Sequence, residues 1–179
     1  MSRIDRFFLE QIAAEHSIGA DLFVPLTAAR LAADTGASIV RLTVELRDIS
    51  QAGVARRELE IQWSMESVPK HPPAIDDRSL TEWAACGIAC VVVAVYANLQ
   101  ICEVTGDGDR FDYWVTDGQN EFGLEVSGTT TGQIESRHAA KVKQLLENPF
   151  GVDGYVVVAD FSTRRVIFSF HRYEGTDDD

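Results

Sequence analysis

Asp112 and Glu125 have the clearest claim to chemistry in this chain. The pattern predicts consecutive strands over residues 110–115 and 121–127, joined by a turn at Asp117-Gly118, with one acid on each strand. Strand alternation then puts Gly123, Glu125 and Ser127 on one face, and Leu124 and Val126 on the other. Two carboxylates on paired strands at a sheet edge suit a hard divalent cation. Such an ion takes oxygen ligands, polarises a phosphoryl oxygen and lowers the pKa of bound water. The competing reading makes both acids ordinary, partly exposed strand residues.

Other candidates have plainer readings beside the chemical one. Glu82 stands three residues after Ser79, the spacing of a capping box at a helix start. Arg137, Lys141 and Gln144 recur along one side of a predicted helix over 134–148, where cations are ordinarily solvated. The connection Gly128-Thr129-Thr130-Thr131-Gly132 offers amides and hydroxyls ahead of that helix. It lacks the Lys-Ser/Thr ending of a P-loop, so it reads as a strand-to-helix link. His16, His71, His138 and His171 are scattered and form no zinc pattern. Ser127 has no His/Asp partner in a nucleophile-elbow context. Cys86, Cys90 and Cys102 lack Cys-x-x-Cys spacing and read as buried free thiols of a reducing compartment, the cytoplasm.

The elements that must position these residues follow from periodicity. A helix is expected over 4–15, and Pro25 breaks or begins another that runs through 28–33. Residues 38–47 alternate, as does the run from Ala55, which sets Leu59, Ile61 and Trp63 against Glu58, Glu60 and Gln62. With the turn at 48–53 they form a long hairpin. Pro69-Lys70-His71-Pro72-Pro73 marks a boundary. It divides one compact unit into an N-terminal helix-and-hairpin layer (1–68) and a core (76–173), before an acidic tail (174–179). In the core a helix over 79–95 runs into the apolar stretch 83–97, too short for a membrane span. Strands near 98–105, 110–116 and 121–128, the helix, and strands over 155–159 and 166–171 follow. The class is α/β (mixed α+β), a mixed sheet flanked by helices.

This order of helix, three strands, helix and strand, with Asp112 on strand two and Glu125-x-x-Gly128 on strand three, resembles the PD-(D/E)xK, restriction-endonuclease-like nuclease superfamily. The resemblance covers roughly residues 79–160. It implies Mg²⁺ held by Asp112 and Glu125, with Glu82 as a further ligand from the first helix, for phosphodiester cleavage. The family's lysine, two residues after the glutamate, is replaced here by Ser127, and no proline precedes Asp112. Some members supply the missing cation from the following helix, which nominates Lys141 or Arg137. No organic cofactor is expected.

Composition sets the outer limits. The chain has 45% hydrophobic and 25% charged residues, the balance of a globular domain. Its 28 acidic against 16 basic residues give a charge of -12, a prior against nucleic acid and anionic membrane that a local basic patch can override. Residues 1–10 mix charges with apolar side chains and lack the uninterrupted core of a secretory signal. The alternative function is a non-enzymatic interaction module, or a subunit of a larger assembly, that binds a protein partner through its acidity or the edge of its hairpin.

Overall fold

The computed structural model describes residues 4–33, 36–49 and 53–175. Positions 50–52 of the expected turn, and the acidic tail from 176 onward, lie outside the described residues. The chain runs β1 (Ile4–Phe8), α1 (Ile12–Glu15), α2 (Phe23–Ala32), β2 (Ile39–Arg47), β3 (Val54–Gln62), α3 (Asp77–Ala97) and β4 (Gln100–Val104). It continues with β5 (Tyr113–Thr116), β6 (Glu121–Thr129), α4 (Ile134–Leu146), β7 (Gly154–Asp160) and β8 (Arg165–His171). All of the strands join one mixed 8-stranded sheet in the order β1-β3-β2-β8-β7-β6-β5-β4, flanked by helices.

Residues 4–8 form a strand, where a helix was expected over 4–15; only Ile12–Glu15 is α-helical within that stretch. Alternation of Arg6 with Phe7 satisfies a period of two as well as a helical stripe, and five residues are too few to separate the periods. Parallel pairing with β3 decides it, and Arg6 meets Glu60 at 3.1 Å. Pro25 lies in the first turn of α2, where its missing N–H costs no helical hydrogen bond. The β2/β3 hairpin forms as expected. The parallel pairing of β2 with β8 then carries the sheet across the proline boundary without a break.

Side-chain alternation along the central strands builds two cores on opposite faces. Leu124, Val126, Val157, Ala159 and Phe168 pack beneath α2 and α3, while Val156, Val158 and Ile167 pack beneath Ile134 and Leu145 of α4. Burying one such side chain contributes about 2 kcal/mol. The parallel β6–α4–β7 crossover is therefore held from both faces.

The start of α3 differs from the expected capping box. Asp76 is the N-cap: its Oδ1 accepts the Ser79 amide at 3.0 Å and its Oδ2 accepts the Ser79 hydroxyl at 2.7 Å. This adds Asp77–Glu82 to the apolar run and gives a helix of 21 residues that contains an 18-residue stretch of mean hydropathy 1.8, long and apolar enough by those measures alone to cross a membrane. In this fold its Ala85, Ile88, Ala89 and Val92 belong to the larger core.

Candidate active site

The site arises because β6 outruns its neighbour. Pairing between β5 and β6 ends at Tyr113 and Leu124, but β6 continues to Thr129, paired only with β7. Beyond Leu124, the side of β6 that faces β5 has lost its partner strand, and its buried amides need other acceptors. Two carboxylates supply them. Asp112 Oδ2 accepts the Val126 amide at 2.8 Å, and Glu82 Oε2 accepts the Gly128 amide at 2.9 Å. Asp112 is itself anchored by its own amide on the Leu124 carbonyl at 2.9 Å. Glu82 reaches β6 because α3 presses against Gly128, where a Cβ would lie 2.5 Å from the Thr81 carbonyl oxygen.

Glu125 and Ser127 point from this segment toward α4, and both are 0% exposed. Lys141 of α4 donates from Nζ to Glu125 Oε1, and to Gln144 Oε1 at 3.2 Å. Among the described residues nothing donates to Glu125 Oε2, although it is buried. Asp112 lies close enough for its carboxylate charge to act on that of Glu125. Burial, then the charge of Asp112, pushes the Glu125 carboxyl up to about 8 against the pull of Lys141. Burial also raises Asp112, opposed chiefly by the Val126 amide.

Arg137 completes the second half of the cluster. Its guanidinium donates to Ser127 Oγ at 3.1 Å and to Glu82 Oε1 at 3.5 Å, while Ser127 Oγ donates to Glu82 at 3.3 Å. Cys86, one turn beyond Glu82, accepts the Tyr113 hydroxyl at 3.3 Å. Burial pushes its thiol up to about 12, with Asp112, Glu82 and Glu125 adding in the same direction, so it is no thiolate nucleophile.

The nominated residues thus gather in one place, with four corrections. Asp112 lies one residue before β5 instead of on the strand. Glu125 is wholly buried in an interior strand, where a half-exposed sheet-edge position was expected; the open edge is local to the part of β6 beyond Leu124. Glu82 caps no helix and serves β6 instead. Lys141 and Arg137 turn inward, so their plain reading as solvated helix charges gives way to contacts with the acids. Sequence reasoning assigned no role to the Cys86–Tyr113 pair or to the rings around Phe111; without the sheet register nothing marks them out.

Two depressions flank the buried acid. One of about 240 Å³ is lined by Thr131, Ser136, Arg137 and Lys141. The other, of about 330 Å³, is lined by residues 104–108 with Arg110, Phe111, Asp112 and Gln144. Among the described residues, no group of three or more His, Cys, Asp or Glu side chains is arranged to hold a metal ion. No family model, curated protein or solved structure matches the chain.

Proposed function

We propose that this protein is a Mg²⁺-dependent phosphodiesterase with a divergent restriction-endonuclease-like core, acting on nucleic acid. The observation that carries the reading is the inward turn of Lys141 onto Glu125. The family pattern asks for a cation two residues after the glutamate, on the strand. Ser127 stands there, and a cation arrives at the same carboxylate from α4.

The acid pair fits a hard cation by its donor set. All candidate ligands are carboxylate oxygens, and the orphaned Glu125 Oε2 beside Asp112 needs either a proton or a cation. Mg²⁺ commonly takes one or two carboxylates and completes its shell with water and substrate oxygens, so Asp112 and Glu125 suffice without a third. Glu82 is occupied by Gly128, Ser127 and Arg137, which makes it a positioning residue. When bound, Mg²⁺ would neutralise phosphate charge and make water a better nucleophile. Lys141 keeps Glu125 oriented and sets positive charge beside the phosphate; Arg137, on the depression it shares with Lys141, adds a second. Three free thiols support the reducing cytoplasm as its place of action.

The charge of -12 weighs against processive contact with duplex DNA, so rapid cleavage of plain duplex is not expected. The test is calorimetric titration of Mn²⁺ into wild type and Glu125→Ala, paired with incubation on labelled single- and double-stranded DNA and RNA with Mg²⁺, Mn²⁺ or EDTA. Heat and metal-dependent cleavage that both vanish in the variant support the reading. Equal heats in the two proteins, or none in either, remove it. The rival reading as an interaction module loses the hairpin edge it called on, because β1 covers β3 and β8 covers β2; the strand at that end of the sheet, among the described residues, is β1, which ends in the half-exposed Phe8.

A further inference from the structure

The depression beside Asp112 has a feature that metal chemistry does not require. Phe111, Trp114 and Phe150 form a three-ring cluster, with centroids 4.9 Å apart for Phe111–Trp114, 5.1 Å for Trp114–Phe150 and 5.9 Å for Phe111–Phe150. Phe111 lines the depression and is buried, lying over Gly123, where a Cβ would come within 2.9 Å of its ring. Phe150 is 48% exposed. A large ring left in water on a flexible loop would be unremarkable, but this one is held in place.

Asn148, which is 3% exposed, fixes the turn that presents Phe150. Its Nδ2 donates to the Leu145 and Val152 carbonyls at 2.9 and 3.0 Å, and its Oδ1 accepts the Phe150 and Val152 amides at 3.1 and 3.2 Å. The lining of the depression is constrained as well. Arg110 has φ 68°, a left-handed backbone that non-glycine residues rarely adopt, and its carbonyl accepts from Gln144 at 3.5 Å. An exposed aromatic on a preorganised turn loses little freedom when a flat partner stacks on it.

The charges beside the two depressions limit what that partner can be. Only Arg110, Arg137 and Lys141 among their lining residues are cationic, enough for one or two phosphates and too few for a duplex backbone. We infer that the aromatic cluster stacks an unpaired nucleobase next to the acid pair, so that the substrate class is single-stranded nucleic acid, such as a free end or a flap. This rests on the phosphodiesterase reading for the bond that is cut, but the stacking itself is measurable without cleavage.

Fluorescence anisotropy in EDTA, at low salt, compares labelled oligothymidylate, oligouridylate and a blunt hairpin of equal charge. Wild type binds the single strands at least about tenfold more tightly than the hairpin; Phe150→Ala loses about 10- to 100-fold on single strands with the hairpin unchanged, and Phe150→Tyr restores binding. The two oligonucleotides, compared with each other, show whether the 2′-hydroxyl matters. Equal affinity for hairpin and single strand, or no effect of Phe150→Ala on single strands, overturns the inference. Mn²⁺ titration of Phe150→Ala separates the two readings. Normal heat with no stacking defect sinks the base subsite alone, whereas a stacking defect in a protein whose wild type binds no Mn²⁺ sinks the phosphodiesterase alone.

Discussion

Glu45 and Glu125 face the same side of the sheet, one on each flank of α4, and they live by opposite rules. Both are buried, at 7% and 0% exposure. Glu45 sits in a complete set of cations: Arg47 at 2.6 Å, Arg56 at 3.4 Å and Arg165 at 3.8 Å, with Arg47 also bonded twice to Glu135 at 2.9 Å. Burial alone would raise its pKa, but the Arg47 hydrogen bond and the three guanidinium charges outweigh that and hold it below the usual carboxylate range. Among the described residues Glu125 has one lysine, a second acid beside it and an oxygen with no donor, and its carboxyl is raised. A charge whose surroundings are complete ties β2, β8 and α4 together. A charge left incomplete costs stability, and that cost is the ordinary mark of a site that expects a ligand.

The sharpest break in this comparison is to neutralise each acid in turn. Glu125→Gln should lose Mn²⁺ heat and reduce any cleavage by at least about a hundredfold. The same variant should melt higher than wild type, because a neutral amide needs no counter-ion in that position. Glu45→Gln should do the reverse, keeping metal binding while losing about 2 kcal/mol in urea unfolding, as Arg56 loses its carboxylate and Arg47 and Arg165 keep only Glu135.

A third measurement uses His138, which lies on the Glu45 side of α4 and bonds Ser169 at 2.7 Å. Burial, then the charges of Arg47 and His171, lowers its pKa from 6.5 to about 4. The unfolded chain therefore binds this proton more readily. Its contribution to stability is complete above about pH 6.5 and is lost as the pH falls toward about 4, by up to about 2 kcal/mol once solvent screening is allowed for. Urea midpoints followed across that window should fall in wild type and flatten in His138→Asn. The smallest expected effect is at Asp76, which caps the helix that delivers Glu82. Asp76→Ala should cost about 1 kcal/mol and leave Mn²⁺ heat intact; loss of the heat would show that α3, and with it Glu82, matters more to the ion than proposed.

Much of the fold was legible because its strands alternate and its helices carry apolar stripes. The meander of β4, β5 and β6, α4 and the β7/β8 hairpin all form in the expected order and places, except that β5 starts at Tyr113 instead of 110. Strand 4–8 was not, since its identity depends on pairing with Glu58–Gln62 far along the chain. That Asp112, Glu125 and the helix cations gather in one candidate site was readable from their spacing. Its geometry was not, because the depth of Glu125 and the role of Glu82 depend on β6 exceeding β5 in length, a matter of register. Ser79-x-x-Glu82 carries a genuine capping signal, overridden by Asp76, whose carboxylate reaches the same first turn.

The unmatched length of β6 has one more consequence, which concerns solubility. An open strand with bare amides is a template on which a foreign strand can grow, and proteins guard such places. Here the guard is the site itself. Asp112 and Glu82 hold the Val126 and Gly128 amides that an added strand would need, and each presents negative charge to any strand that approaches. The carboxylates that are proposed to serve chemistry therefore also keep the centre of the sheet from recruiting a neighbour. A chain stripped of both would carry, between β5 and α3, an adhesive edge.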